Sequence, residues 1–152
     1  MAELRDTPYS AFNYLVNLGD GSEATVMGGF SEVSGLNAEV TIAEYRNGNS
    51  KVNYVSKIPA LNKSGDVTLK RGVIGAMNIY GWLEQVRAGD VNAKRNVEIK
   101  LTGETPGSSP VVTWKLLGAM PIKWTGPTLT AKGGSDVAIE ELVLAVEHIE
   151  QS

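Results

Sequence analysis

Apolar side chains recur at every second position in several short stretches of this chain, the mark of strands with one covered face. Phe12, Tyr14, Val16 and Leu18 alternate with Asn13, Leu15 and Asn17. The run Gly19-Asp20-Gly21-Ser22 reads as a turn, because glycine and aspartate accept the positive φ of tight turns, and residues 24–27 are expected to pair back as a second arm. Ala38, Val40 and Ile42 alternate with Glu39 and Thr41, and Val67, Leu69 and Arg71 make a further short strand. Val97, Ile99 and Leu101 alternate with Glu98, Lys100 and Thr102. A 103–110 loop joins them to Val112, Trp114 and Leu116, and 119–124 resumes an extended pattern before Gly126-Pro127.

One stretch changes period. Ile79, Trp82, Leu83 and Val86 fall three and four apart, one apolar stripe, and predict a helix over about 75–88 that ends where Gly89 supplies a left-handed residue. The last segment, 137–149, is long for one strand, and its phase shifts: Val137 and Ile139 share one parity, Leu142, Leu144 and Val146 the other. A bulge near Glu140-Glu141 is the expected cause. Val143 and Ala145 make the second face apolar too, as in a strand covered on both sides.

Residues 46–65 fit neither period. Asn47-Gly48-Asn49-Ser50 is turn-like and Pro59 cannot donate to a ladder, yet Val52, Tyr54, Val55, Ile58 and Leu61 are too apolar for a free loop. About 20 residues of irregular chain in a compact domain mark a function or an extension. Two readings stay open: a covered surface loop, or an arm that buries those side chains against a neighbouring subunit. Many short alternating strands with one helix favour a sandwich or barrel whose edges must be hidden, by closure or by another chain.

With 152 residues the chain fits one domain, and its 42% hydrophobic and 20% charged residues are ordinary for a folded one. The net charge of −3 comes without a basic patch, so tight binding of nucleic acid is not expected. Cysteine is absent, which removes disulfides, thiolate metal sites and cysteine nucleophiles. Residues 1–8 hold no apolar run of the signal-peptide kind, and no apolar run approaches the ~18 residues of a membrane span.

Candidate chemistry is thin. His148, the sole histidine, stands among Glu147, Ile149 and Glu150 without a second ligand at metal spacing, so neither a triad nor a zinc site is expected. Glu140 and Glu141 point to opposite faces of a strand and cannot share a cleft; both, with Glu147, Glu39, Glu44, Glu3 and Asp6, are expected as solvated surface carboxylates. Gly19 to Gly21, Gly28-Gly29 and Gly133-Gly134 match no phosphate-binding pattern and read as turns. Trp82 and Trp114 belong to core stripes, whereas Trp124 is a candidate interface anchor. Catalytic, metal and cofactor residues are therefore expected to be none.

Several segments, in order and spacing from about Phe12 to Glu150, resemble the tail tube family of contractile phages and related injection systems. They are Gly29 to Leu36 with the acidic strand ending Glu44-Tyr45-Arg46-Asn47-Gly48, Lys57 to Leu61, Val67 to Gly72 before the helix bearing Trp82, Trp124 to Pro127, and Asp136 to Glu140 with the closing strand to Glu147. The helix start Gly75-Ala76-Met77-Asn78 departs from the acidic and bulky residues common there, and the 103–110 loop is rich in Gly, Ser and Pro. The resemblance implies a mainly β fold of two packed antiparallel sheets, as barrel or sandwich, with one flanking helix. It implies a single domain over 12–150 behind an N-terminal extension at 1–11, with an inter-subunit arm at 46–65. It further implies hexameric rings stacked as a hollow tube, partners in a contractile sheath protein and in baseplate and tube-terminating proteins, and cargo (DNA or protein) that passes without tight binding. The expected place is a virion tail or phage-like particle assembled in the bacterial cytoplasm, released or retained. Expected interface residues are Val52, Tyr54, Val55, Ile58, Leu61, Trp124, Val143 and Ala145. The alternative weighed beside it is a monomeric β-barrel that holds a small ligand.

Overall fold

A computed structural model describes residues 6–19, 30–73, 78–105, 109–134 and 137–152. The arm expected at 24–27, the Gly28-Gly29 pair, most of the 19–22 turn and the helix start at 75–77 lie outside them. Among the described residues nine strands and one helix follow in chain order: β1 Tyr14–Asn17, β2 Glu32–Ser34, β3 Ala38–Tyr45, β4 Ser56–Ser64, β5 Val67–Gly72, α1 Asn78–Arg87, β6 Arg95–Thr102, β7 Pro110–Thr125, β8 Ile139–Ala145 and β9 His148–Gln151.

All pairings are antiparallel, and β7 belongs to two sheets. Its first part pairs with β6 and β9, with β1 beyond β6; its last part pairs with β8, followed by β5 and β2. Of the two forms expected, the described strands make the sandwich: β1-β6-β7-β8-β5-β2 is an open path, not a closed ring. Val16, Val97, Ile99 and Leu116 from one sheet meet Val67, Leu69, Leu142 and Leu144 from the other, with Ile79 and Trp82 of α1 in the same cluster. Each such side chain removed from water contributes about 1.5–3 kcal/mol. Phe12 lies outside this cluster, exposed ahead of β1.

The 112–116 and 119–124 stretches form one strand of 16 residues rather than two. Gly118, at φ +64°, lets it continue. Arg95 pairs Ala119 and Val97 pairs Leu116, so β7 carries one extra residue around Gly118, and the buried positions change parity from Leu116 to Ala119 and Pro121. A second extra residue falls between Pro121 and Lys123, opposite Leu144 and Val143.

The bulge expected at Glu140-Glu141 is therefore on the partner strand. β8 itself runs in unbroken register with β5 from Ile139 opposite Gly72 to Leu144 opposite Val67. Its inward parity is even throughout, with Glu140, Leu142 and Leu144 buried, while Val137 and Ile139 are exposed. An inward carboxylate disguised the phase. The stretch also ends sooner than expected, with β8 and β9 separated at Val146-Glu147.

The irregular segment expected at 46–65 is likewise corrected: β4 occupies its second half and forms a separate two-stranded sheet with β3. Pro59 fits because the ladder is bulged there, with Val40 opposite Asn62 and Ile42 opposite Pro59. The Thr41 hydroxyl completes the bulge: it accepts from Leu61 N–H and donates to Leu61 C=O, both at 2.9 Å.

α1 buries Ile79 and Trp82 and half-buries Leu83 and Val86. Trp82 Nε1–H donates to Ala93 C=O at 2.6 Å, and the Arg95 guanidinium lies 4.8 Å from the Trp82 ring centroid. The helix closes in a Schellman motif, with Asp90 N–H on Gln85 C=O at 3.2 Å and Gly89 N–H on Val86 C=O at 3.1 Å. Gly89 has φ +81° and open space around a would-be Cβ, so only backbone conformation resists substitution. Gly89→Ala is expected to lower unfolding free energy by ~1 kcal/mol, measured as a lower urea midpoint at unchanged slope.

Candidate functional site

Among the described elements the β3–β4 hairpin is the least covered. Apart from Thr41 and Ser64, which are partly buried, its strand residues are exposed. Val40 and Ile42 share one face with Pro59; Ala43, Ile58 and Tyr45 share the other. Opposite charges stand across the ladder at Glu39 and Lys63 and at Glu44 and Lys57. A lone two-stranded hairpin is marginal in water, and this one leaves large apolar side chains exposed on both its faces.

Its tip is organised by Arg46. That guanidinium donates to Ser50 C=O at 3.3 Å and to Val52 C=O at 3.1 and 3.3 Å. Ser50 N–H closes a turn on Asn47 C=O at 3.1 Å. The clasp presents Val52, Tyr54 and Val55 to solvent, with Tyr54 70% and Leu61 of β4 73% exposed. Five of the eight interface candidates thus gather on one hairpin.

The other three lie on the sandwich. Val143 and Ala145 occupy the outer face of β8, half-buried, with Val143 opposite Thr68 of β5. Trp124 packs inward at the end of β7, meets Tyr80 edge-on with centroids 5.4 Å apart, and donates from Nε1 to Glu140 Oε2 at 3.2 Å.

That carboxylate was expected at the surface and is not. Glu140 is 8% and Arg71 1% exposed, and Arg71 Nε donates to Glu140 Oε1 at 2.6 Å. The two residues are register partners across β5 and β8, and the Arg71 guanidinium also faces the Phe30 ring at 5.6 Å. A signal existed: Arg71 shares the buried parity of Val67 and Leu69. Nearby, the Tyr14 hydroxyl donates to Phe30 C=O at 2.6 Å, and burial, with the charge of Glu32 second, holds its pKa above the ordinary tyrosine value.

Elsewhere no reactive constellation forms among the described residues. His148 is exposed in β9 opposite Leu117, Glu147 pairs with Lys94, and no three metal-ligating side chains gather. A groove of about 690 Å³ beside the start of β8 is lined by residues such as Leu129, Gly133, Gly134 and Val137, with no titratable side chain among the described residues. The space between the sheets is filled by Val67, Leu69, Val97, Leu116, Leu142 and Leu144, all at 0% exposure, which disfavours a ligand-holding interior.

A filled sandwich that displays an apolar hairpin is a building block, a structural subunit whose working surfaces are those it offers to other chains. The chain belongs to the family described as T4-like virus tail tube protein gp19, whose model matches residues 10–150. Comparison with curated protein sequences yields no match. Among solved structures, a chain of the sheath–tube complex of the extracellular contractile injection system PVC in its extended state is 26% identical, with a TM-score of 0.80 over 97% of this chain and 93% of that one. A chain of the anti-feeding prophage (AFP) baseplate is 28% identical, with a TM-score of 0.78 over 97% of each. Hcp1 from Flavobacterium johnsoniae, 10% identical at a TM-score of 0.53 over 91% and 94% of the two chains, shares the fold. The chain is accordingly a structural inner-tube subunit of the contractile-tail class.

Proposed function

We propose that this subunit closes into six-membered rings that stack as the hollow inner tube of a contractile tail or injection particle, a conduit that performs no catalysis. One observation carries the reading: the β3–β4 hairpin is exposed on both faces yet apolar on both. Residues 12–150 act as one domain, 1–11 as an extension, and 46–65 as the arm that reaches a neighbouring subunit or ring. Val52, Tyr54, Val55, Ile58 and Leu61 are the arm's contacts; Val143, Ala145 and Trp124 serve the ring interface from the sandwich. Ring contacts are head-to-tail, since only rotation closes them. The baseplate that contains one relative was solved as 6-fold symmetrised, which supports the ring size.

The similar chains come from a sheath–tube complex, a sheath/tube terminator, a tube-terminating cap and a baseplate, which supports a sheath protein, baseplate proteins and tube-terminating proteins as partners of this chain. DNA or protein cargo passes through the lumen, and a subunit of net charge −3 without a basic patch lets it pass instead of holding it. The particle assembles in the bacterial cytoplasm and is released or retained. Light scattering over a wide concentration range tests the reading: mass is expected to climb through a six-subunit species to large particles, and a strict monomer throughout would overturn it.

A further inference from the structure

We propose that Asn47 is a self-modifying site: in the unassembled subunit the backbone nitrogen of Gly48 displaces the Asn47 side-chain amide, and assembly of the hairpin halts the reaction. The second half rests on the reading of the hairpin as an assembly arm. Of ten asparagines in the chain, only Asn47 precedes a glycine. It opens the exposed turn at the hairpin tip.

Three features of that turn favour the reaction. The nucleophile is unobstructed: a Cβ at Gly48 would meet nothing within 4 Å, and its N–H makes no hydrogen bond among the described residues. The electrophile is polarised: the Tyr45 hydroxyl donates to Asn47 Oδ1 at 2.5 Å, the direction that stabilises the oxyanion formed when nitrogen adds to Cγ. Finally, Arg46 clasps the Ser50 and Val52 carbonyls, which holds the turn closed and keeps a positive charge beside it. That charge favours both loss of the Gly48 amide proton and the anionic product.

The step balances without an oxidant or cofactor. Gly48 N–H gives its proton to water, the N–Cγ bond forms, and the Cγ–Nδ2 bond breaks as ammonia leaves with a proton. The cyclic imide then takes up water at either carbonyl to give aspartate or isoaspartate. Either product puts a carboxylate at the tip and adds one negative charge to a net of −3, and isoaspartate also lengthens the backbone by one methylene. Within an assembled arm the tip is held between chains and shielded from the water that both steps need.

Full-length protein, separated into free subunits and tubes, is incubated in mildly alkaline buffer beside a denatured sample and mapped by peptide mass and isoaspartate content. The expected result is conversion at Asn47 ahead of the other asparagines in free subunits, its loss in the Gly48→Ala variant, slower conversion in Tyr45→Phe, and protection in tubes. An Asn47 amide that persists in folded free subunits while the denatured chain converts overturns the proposal and leaves the assembly reading untouched. Equal conversion in tubes and free subunits overturns the protection and counts against burial of the tip, while the chemistry stands.

Discussion

Glu140→Ala is expected to lower the unfolding free energy by about 3–5 kcal/mol, a large part of the 5–15 kcal/mol typical of a domain. The cause is the Arg71 guanidinium, 1% exposed and bonded through Nε to the carboxylate that is lost. A buried guanidinium that loses this carboxylate keeps its desolvation cost and loses a large part of the attraction that offsets it. Trp124 Nε1 loses its acceptor at the same time, for about 1 kcal/mol more. Because the residues are register partners across β5 and β8, the loss falls on the centre of the second sheet. The double variant Arg71→Met, Glu140→Leu removes both charges and is expected to regain most of the stability. Urea unfolding of the two single variants and the double variant gives the answer; a drop of under about 1 kcal/mol in Glu140→Ala would show that the pair is not what holds this site.

The second large effect is on assembly rather than folding. Ile42→Asp and Ile58→Asp put a carboxylate on opposite faces of the hairpin, where both side chains now stand about half exposed. In the free subunit each replaces an apolar group that water already reaches, so the stability change is expected within about 0.5–1 kcal/mol. Against a neighbouring chain the same carboxylate is desolvated without a partner, at several kcal/mol per contact. That cost repeats in every subunit of a tube. At least one of the two variants is therefore expected to unfold like the parent protein and to form no particles. Normal particles from both would remove the arm from the assembly.

Much of the sandwich was legible because its rows obey period two. Val67-Leu69, Val97-Ile99 and the stripe Ile79-Trp82 are buried as expected, and Gly89 takes the left-handed conformation that ends the helix. The errors share one origin: positions where a side chain does work that hydropathy does not record. Glu140 points inward because Arg71 faces it, so hydropathy hides the even parity of β8, and the extra residues lie on β7 instead. Pro59 argued against a strand because the Thr41 hydroxyl, which serves the bulged backbone beside it, is a tertiary feature. The hairpin's apolar residues are conspicuous in the sequence as a set, but a single subunit shows only that they are exposed.

This subunit is expected to build a tube from itself. Negative-stain electron microscopy of the purified protein, at rising concentration and beside the two hairpin variants, tests it most directly. Rings with six-fold symmetry and long hollow tubes are expected from the parent protein and absent from at least one variant. Isolated compact particles of single-subunit size at every concentration would contradict that expectation.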